Sequence, residues 1–444
     1  MFQKILIANR GETALRVIRA CRELGISTVV AYSDADRESL PVHLADEAVC
    51  IGPAPASKSY LNVPSIISAA FITGAEAIHP GIGFLAEDTY FAEICEKYGI
   101  TFIGPSPDVI HAMGDKTNAK AEMRKAGLPV IPGRDSPVRN AAQALEDADS
   151  IGYPVVLKAA GGGGGRGIRF VGDEKEMATA FPVAQAEAQA SFGNARLYLE
   201  KYISPARHIE VQILRDGQGN AIQLGERDCT IQRRYQKLIE ESPSPVLDSS
   251  VREAITAAAL QGVNAIGYTS AGTVEFLVDS ALNYYFMEIN CRLQVEHTVS
   301  ESTTGIDLVR EQIVVAARET LRYSQQEVCF RGHAIECRIT SEDPEHEFRP
   351  ESGEVTSFLA PGGPGIRVDS HLYSGYTIPP HYDSLIAKII AWAPDRAEAI
   401  ARMLRALDEC VIDGVKTNLE FHRKVLLAQS FREGSFDANM LNLL

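Results

Sequence analysis

The 444-residue sequence lacks the cysteine pattern of a metal site or of a disulfide framework. Its eight cysteines are scattered and none belongs to a CxxC pair, so reduced, buried thiols are expected. The sequence also lacks an apolar run of membrane-spanning length, and its first residues, MFQKILIANRGE, contain no signal-peptide core. We therefore expect a cytoplasmic protein, or a protein of the plastid or another organelle stroma if a targeting segment has been removed.

Positively charged residues are also scarce. The sequence has 43 Lys and Arg residues against 58 Asp and Glu residues, and its formal net charge is −15. Such a balance argues against nucleic acid or an anionic membrane as the principal partner. An anionic ligand would need a local basic pocket. The 45% share of hydrophobic residues is ordinary for a globular protein, and the length allows two or three domains.

Two common phosphate-binding fingerprints are missing as well. The segment Gly162-x-Gly164-x-x-Gly167 matches the dinucleotide pattern only formally, because the following IRFV is typical of a strand rather than a helix, and no GK[ST] closes the run. What remains is a predicted hairpin whose tip holds six glycines in seven residues. Ordering each glycine costs about 0.5–1 kcal/mol more than ordering alanine. A loop that closes over phosphates, flanked by Lys158 and Arg166, is favoured over a surface linker.

The chain divides into four predicted segments. Residues 1–104 alternate short strands with helical patterns, which indicates a doubly wound, mostly parallel sheet. Residues 105–130 form a helical connector in which Asp115 caps a helix through Lys125. Residues 131–203 contain the glycine loop, and residues 204–444 indicate antiparallel β structure with flanking helices. The overall fold class is therefore α/β, or α+β when the whole chain is considered.

The segment FMEINCRLQVEH alternates polar and apolar residues from position 288 to position 296. An extended chain would place its polar residues on one face; they are Glu288, Asn290, Arg292, Gln294 and Glu296. Glu275 in GTVEFLV is expected opposite Glu288, and Mg²⁺ or Mn²⁺ would neutralise the pair, with Asn290 as a further oxygen ligand. Arg292 could hold a small oxyanion from which Glu296 takes a proton. Each residue taken singly also fits a solvated sheet face.

Several other residues are weaker candidates when taken alone. The lysines fit a plain surface location equally well; they are Lys116, Lys158, Lys201 and Lys237. His208 shares a strand face with Glu210 and fits a structural role as well as a functional one. Arg338 lies in the apolar strand GHAIECRI, which favours a paired or ligand-binding guanidinium.

Five segments together resemble the biotin carboxylases, a family of ATP-grasp enzymes. They are HPGIGFLAED, VVLKAAGGGGGRGIR, GERDCTIQRRYQKLIEE, GTVEFL and MEINCRLQVEH, and the resemblance extends in order over essentially the whole chain. It implies an N-terminal Rossmann-like domain, a small lid domain with the glycine loop and a larger C-terminal domain. It also implies carboxylation of biotin by bicarbonate and MgATP through carboxyphosphate, which is the first half-reaction of acetyl-CoA carboxylase.

The resemblance assigns roles residue by residue. The nucleotide site would be lined by Lys116, Lys158, Gly163, Gly164, Gly165, Glu200, Lys201, Ile203, His208 and Gln232. Glu275, Glu288 and Asn290 would hold magnesium, and Glu296 would be the base. Bicarbonate would be bound by Lys237, Arg292, Gln294 and the Val295 backbone. Arg338 would stabilise the biotin enolate.

Three departures from the family pattern accompany this likeness. Ile82 stands where the family usually has Tyr, Tyr235 where many members have His, and Thr298 where Pro commonly follows QVEH. These departures leave the contacts to biotin and nucleotide open, although no acid, base or metal residue is missing.

The resemblance also implies partners. No methionine is followed by lysine, so the biotinylated carrier is expected on another chain, together with carboxyltransferase subunits. A homodimer is expected, with Arg19, Glu23 and Arg367 as candidate contacts. Three alternatives remain: the same subunit of a pyruvate or propionyl-CoA carboxylase, another ATP-grasp ligase that joins a carboxylate to an amine, and a nucleotide-sensing module without turnover.

Overall fold

A computed structural model describes residues 1–134, 136–159 and 167–443. The predicted phosphate-binding glycines Gly163, Gly164 and Gly165 lie outside the described residues. Within the described part of the chain, no helix is long and apolar enough to cross a membrane.

Helices and strands alternate through the first third of the chain, and strands predominate afterwards. The strands are β1 (Lys4–Ile7), β2 (Ser27–Ser33), β3 (Glu47–Gly52), β4 (Ala77–His79), β5 (Thr101–Phe102), β6 (Val155–Ala159), β7 (Ile168–Val171), β8 (Leu197–Lys201), β9 (Ala206–Arg215), β10 (Ala221–Arg233), β11 (Gln236–Ser242), β12 (Ser270–Asp279), β13 (Tyr284–Asn290), β14 (His333–Thr340), β15 (Glu342–Asp343), β16 (Arg349–Pro350), β17 (Gly353–Glu354), β18 (Ser357–Leu359), β19 (Ile366–Ser370), β20 (Thr377–Ile378), β21 (Leu385–Ala393) and β22 (Val411–Asp413). The α-helices are α1 (Gly11–Glu23), α2 (Leu40–Leu44), α3 (Val63–Thr73), α4 (Thr89–Lys97), α5 (Pro107–Gly114), α6 (Lys116–Lys125), α7 (Ala141–Ile151), α8 (Glu174–Phe192), α9 (Ser249–Ala265), α10 (His297–Thr304), α11 (Leu308–Ala316), α12 (Arg396–Glu409), α13 (Leu419–Leu427) and α14 (Gln429–Arg432).

The N-terminal sheet is parallel and has the strand order β3-β2-β1-β4-β5. Successive residues of its central strand enter two different apolar cores: Leu6 packs into one, and Ile5 and Ile7 into the other. Side chains along a strand point alternately to opposite faces, so both faces of this sheet are covered. The predicted doubly wound parallel sheet is confirmed.

The predicted helical connector contains two consecutive helices, α5 and α6. The Asp115 carboxylate accepts hydrogen bonds of 2.9 Å from the backbone N–H groups of Thr117 and Asn118, and so caps α6 at its N-terminus. The helix ends at Lys125, as the sequence predicted. This cap fixes the start of the helix on which Lys116 is the first residue.

A small antiparallel sheet follows, with the order β7-β6-β8. Its buried side chains, among them Val155 and Leu157, pack against α7 and α8 in a separate apolar core. The segment Ile168–Val171 is a strand rather than a helix. The rejection of the dinucleotide fingerprint is therefore confirmed.

An eight-stranded antiparallel sheet forms the largest layer, with the order β13-β12-β9-β10-β11-β14-β21-β19. Along β14, Ile335, Cys337 and Ile339 pack into an apolar core that includes residues of α12. The alternating residues Glu336 and Arg338 face the opposite side. One face of this sheet is thus apolar, and the other carries charged groups.

The prediction of one extended strand from Glu288 to Glu296 is wrong beyond Asn290. Strand β13 ends there, residues 291–296 form a loop, and α10 begins at His297. The chain leaves the sheet because the Glu87 carboxylate accepts the Cys291 N–H at 2.7 Å, and because Leu293 enters the core beneath the N-terminal sheet. The polar residues still gather in one place, but they do so through a loop.

We expect Asp115→Ala to lower the free energy of unfolding by about 1 kcal/mol, because two backbone N–H groups at the start of α6 lose their acceptor. Denaturant unfolding followed by circular dichroism measures this difference. Glu93→Ala on the exposed side of α4 is the control and should stay within about 0.5 kcal/mol of the parent. Equal effects of the two substitutions would contradict the capping role.

Candidate active site

Six neighbouring strands of the large sheet and the loop at residues 291–296 bring the charged residues together. The side chains come from Glu288 and Asn290 on β13, Glu275 on β12, His208 and Glu210 on β9, Arg227 and Gln232 on β10, Lys237 and Glu240 on β11, and Glu336 and Arg338 on β14. The loop adds Arg292, Gln294 and Glu296. Antiparallel pairing allows each strand to present alternate residues on the same face.

The predicted carboxylate pair is present, because Glu275 lies directly opposite Glu288 in the register of β12 and β13. Glu275 is buried and accepts hydrogen bonds from Asn290 Nδ2 at 2.8 Å and from Gln294 Nε2 at 3.1 Å. The Glu288 carboxylate is partly exposed and lies 2.9 Å from Lys116 Nζ. The pair therefore has one buried member and one that a ligand could reach from solvent.

Lys237 is the central cation of the site. Its Nζ lies 2.5 Å from Glu210 Oε2, 3.0 Å from Glu275 Oε1 and 2.7 Å from Glu296 Oε1. Burial opposes the charge of this amine, but the three carboxylates outweigh burial and raise the pKa of Lys237 well above its usual value. Glu210, Cys229 and Glu296 have the spacing of a metal site, yet the ammonium group already supplies a positive charge to two of them.

Glu296 is fully buried between two cations. Its Oε1 accepts the bond from Lys237, and its Oε2 accepts a bond of 2.9 Å from Arg338 Nη2. Burial would favour the neutral acid, but Lys237 and Arg338 outweigh it and lower the pKa of Glu296 well below its usual value. An anion bound beside these cations would offset their charge and raise the pKa of Glu296. The residue can therefore become a base when an anionic ligand arrives.

Arg292 is held by a residue to which the sequence had assigned no role. Its Nε donates to Glu87 Oε2 at 2.7 Å, and its terminal nitrogens donate to Asn290 Oδ1 at 3.1 Å and Gln294 Oε1 at 3.3 Å. Glu87 belongs to the HPGIGFLAED segment, and its place in that segment was the only sequence feature that could have indicated a role for it. The contact joins residues 205 positions apart, which strand periodicity does not reveal.

Lys158 and Glu200 lie together on the small sheet. Lys158 Nζ is 2.6 Å from Glu200 Oε2, and Lys120, which the sequence reasoning missed, contacts the other oxygen of the same carboxylate. Burial opposes ionisation of Glu200, but the two ammonium groups outweigh it and lower the pKa of Glu200 to about 2. Glu200 thus orients two lysines at the interface between α6 and the small sheet.

The remaining predicted nucleotide residues lie at the end of β8 and along β9 and β10. The Lys201 amine donates to the carbonyl oxygens of Gly152 and Tyr153, each at 2.9 Å, and Ile203 follows the strand. The His208 Nε2 atom lies 2.9 Å from Glu275, and the Nδ1 atom lies 2.9 Å from Gln232. Although burial lowers its basicity, Glu275 produces a net increase in the pKa of His208.

The three departures from the family pattern occupy different environments. Tyr235 is exposed at the tip of the β10–β11 hairpin with φ of 65°, and Ile82 is partly buried beside the N-terminal core. Thr298 is fully buried, and its hydroxyl donates to Glu336. The threonine therefore makes a polar contact that a proline side chain would not provide.

The sequence is similar to known protein families and to individual proteins over nearly its whole length. Three family models match: "Biotin carboxylase, N-terminal domain" at residues 1–110, "Carbamoyl-phosphate synthase L chain, ATP binding domain" at residues 115–324, and "Biotin carboxylase C-terminal domain" at residues 336–442. A biotin carboxylase from Nostoc sp. is 56% identical over 440 residues, which are 99% of this chain and 98% of that protein. This chain belongs to the biotin carboxylase family.

Solved structures agree with this assignment. The biotin carboxylase domain dimer of Hydrogenobacter thermophilus 2-oxoglutarate carboxylase, bound to MgADP and bicarbonate, has a TM-score of 0.96 at 49% identity and covers 100% of this chain and 98% of that chain. A complex of biotin carboxylase with β-γ-ATP from Campylobacter jejuni has a TM-score of 0.97 at 49% identity, with 100% and 99% covered. The predicted ATP-grasp fold and ATP-dependent ligase class are confirmed, as are ATP and magnesium at the level of the family.

We expect Glu200→Gln to lower the free energy of unfolding at neutral pH by about 2–3 kcal/mol, because Lys120 and Lys158 lose a buried counter-ion. The lowered pKa of Glu200 means that this contribution is present above about pH 4.5 and is lost as the pH falls towards about 2. The difference between parent and variant should therefore shrink in acid. Denaturant unfolding across a pH series measures it, and a difference that stayed constant down to the lowest pH would contradict the ionised pairing.

Proposed function

We propose that this chain carboxylates biotin carried on a separate protein, with bicarbonate and MgATP, as the first half-reaction of acetyl-CoA carboxylase. The observation that carries the proposal is the placement of Glu296 between Lys237 and Arg338. An acid, an ammonium and a guanidinium that meet beside the Arg292 and Gln294 side chains form a pocket for a small oxyanion and its proton acceptor.

The nucleotide would bind between the small sheet and the large one. We assign its contacts to Lys116, Lys158, Glu200, Lys201, Ile203, His208 and Gln232, with Gly163, Gly164 and Gly165 over the phosphates. Lysine ammonium groups and bare backbone N–H groups are the donors that phosphates require. The domain boundaries after residues 104, 130 and 203 stay a prediction.

Magnesium fits the oxygen donors of Glu275, Glu288 and Asn290. The two carboxylates are opposite in register, and magnesium binds through one or two carboxylates together with waters and substrate phosphates. Bound magnesium would neutralise negative charge on the phosphates. Lys116 Nζ, which lies 2.9 Å from Glu288, would then be free to contact the phosphates.

Bicarbonate would bind between Lys237, Arg292, Gln294 and the backbone of Val295. Glu296 would take its proton, and the resulting oxyanion would attack the γ-phosphorus of ATP. The bond from that phosphorus to the ADP oxygen breaks as carboxyphosphate forms. Lys237 would stabilise the negative charge throughout, because it remains protonated among its carboxylates.

Biotin would be activated at Arg338. Carboxyphosphate breaks down to CO₂ and phosphate, the phosphate takes the proton of the ureido nitrogen, and that nitrogen attacks CO₂. The deprotonated ureido group carries its negative charge on oxygen, so a fixed guanidinium stabilises it. Arg338 Nη2 lies 2.9 Å from Glu296, which brings the two chemical steps next to each other.

The assembly around this subunit belongs to the same proposal. We propose a homodimer with contacts at Arg19, Glu23 and Arg367, and partners that include a biotin carboxyl carrier protein and carboxyltransferase subunits. The Hydrogenobacter thermophilus neighbour is the domain of a 2-oxoglutarate carboxylase, so a host other than acetyl-CoA carboxylase is the second candidate. Measuring the turnover of the assembled complex with each acyl acceptor would distinguish acetyl-CoA carboxylase from another host carboxylase. A cytoplasmic or stromal location stays a prediction.

We expect Glu296→Gln to lower bicarbonate-dependent ATP hydrolysis, in the presence of free biotin, by at least about 100-fold, because the proton acceptor is lost. Binding of nucleotide, measured by calorimetry, should be retained. Glu226→Gln is a matched control, since Glu226 on β10 is also buried and paired with an arginine, Arg252 on α9, but lies outside the site. Bicarbonate-independent turnover with an amine would favour a carboxylate–amine ligase, and tight ATP binding by the parent without turnover would favour a sensing module.

We expect Glu87→Gln to raise the KM for bicarbonate by about tenfold while the KM for ATP changes little, because Arg292 loses its charged anchor. Steady-state kinetics with each substrate varied in turn measures this split. An equal rise in both constants would show that Glu87 acts on the whole site rather than on Arg292.

A further inference from the structure

Two buried carboxylates lie behind the arginine that faces biotin in our proposal. Glu240 on β11 and Glu336 on β14 are direct cross-strand partners, and neither side chain is exposed to solvent. Glu240 Oε1 accepts a hydrogen bond of 2.5 Å from Arg338 Nε, and Glu336 Oε2 accepts one from the Thr298 hydroxyl. The other oxygens, Glu240 Oε2 and Glu336 Oε1, are buried without a hydrogen-bond partner among the described residues.

This arrangement is unfavourable if both acids are ionised. Side chains directly opposite in an antiparallel pair have Cβ atoms about 4.5–5.5 Å apart, so the two carboxyl groups can approach each other. Two negative charges at such a distance repel strongly in a buried site, and each oxygen without a donor adds a desolvation penalty. One proton between the two groups removes the repulsion and provides the missing hydrogen bond.

The surrounding cations are already committed to other acids. Arg338 is shared with Glu296, and Lys388 Nζ lies 3.2 Å from Glu12 Oε2 while it donates to the Val295 carbonyl oxygen at 2.9 Å. The charged and titratable groups that interact with the pair are Lys237 on β11, Arg338 and Cys337 on β14, Lys388 on β21, Cys229 on β10 and Glu296, the residue before α10. No cation in this set forms a direct ion pair with Glu336, although Lys388 acts on it from farther away.

Burial of the two carboxyl groups also favours their protonated forms. It is the largest influence on both groups, and it raises the pKa of Glu240 and of Glu336 above the ordinary value of a glutamic acid; Glu296 adds to the increase at Glu240, and Glu240 adds to the increase at Glu336. Arg338 opposes the increase at Glu240, and Lys388 opposes it at Glu336. The proton is therefore held at neutral pH.

We propose that Glu240 and Glu336 share one proton in the resting enzyme, and that this proton limits the negative charge beside Arg338 and so preserves the field with which its guanidinium stabilises the biotin enolate. The two acids are positioning residues, because neither touches substrate. Thr298 orients Glu336 for this task through its hydroxyl. The first half of the proposal concerns protonation alone, and the second half rests on the proposed function.

Loss of the shared proton would add a negative charge beside Arg338. The guanidinium would then be surrounded by Glu240, Glu296 and Glu336, all ionised, and its field at the ureido oxygen would weaken. The biotin-dependent rate would fall at alkaline pH. Hydrolysis of ATP without biotin does not use the enolate and would not share this alkaline limb.

Infrared difference spectroscopy of the full-length protein tests the first half. Between neutral and alkaline pH, the parent should lose the carbonyl stretch of one protonated carboxylic acid. Glu336→Gln should lack this change. Glu241→Gln should retain it, because Glu241 is a buried neighbour on β11 whose carboxylate is held by His333 and Arg396. A parent spectrum without a protonated acid at neutral pH overturns the sharing, whether or not the variants fold.

The pH profile tests the second half. Glu336→Gln removes the acid that would ionise at alkaline pH, so the alkaline limb of the biotin-dependent rate should move upward by about one pH unit or more relative to the parent. An unmoved limb, combined with the infrared signal, overturns the link to Arg338. Absence of bicarbonate-dependent ATP hydrolysis in the parent would instead count against the proposed function and leave the infrared result valid.

Discussion

The site depends on one buried cation. Lys237 lies within 3.0 Å of Glu210, Glu275 and Glu296, and these acids come from β9, from β12 and from the residue before α10. Without the ammonium group, three carboxylates would lie together out of water, which is unfavourable by several kcal/mol. The same contact keeps Glu296 ionised, as its proposed role of proton acceptor requires. The ammonium nitrogen of Lys237 therefore supports both the stability of the site and its proposed chemistry.

A local irregularity brings this lysine to the site. The register between β10 and β11 shifts between Ile231 and Gln232, so β11 has one extra residue between Lys237 and Ile239. Leu238 and Ile239 consequently enter the same apolar core, although consecutive residues of a regular strand would point to opposite sides. Because of the bulge, the side chains of Lys237 and Glu240, three positions apart, lie on the same charged face of the sheet.

The N-terminal part of the chain completes the site from a distance. Glu87 anchors Arg292 and holds the Cys291 N–H, and Glu12 lies beside Lys388, which supports the Val295 carbonyl. Residues of the parallel sheet region thus fix the loop that carries Arg292 and Glu296. This explains why the polar residues converge although the predicted strand stops at Asn290: the loop is tied at both ends by side chains from elsewhere in the fold.

The sequence by itself determined the parallel N-terminal sheet, the Asp115 cap, the opposition of Glu275 and Glu288 and the family, because periodicity, capping residues and a set of segments in order are local properties. Only the tertiary structure decided that residues 291–296 form a loop, that Lys237 joins three acids, and that Glu87 and Glu336 belong to the site. Those outcomes depend on contacts between distant residues and on a one-residue bulge, and a bulge reverses the face of every later side chain without changing the pattern of residue types.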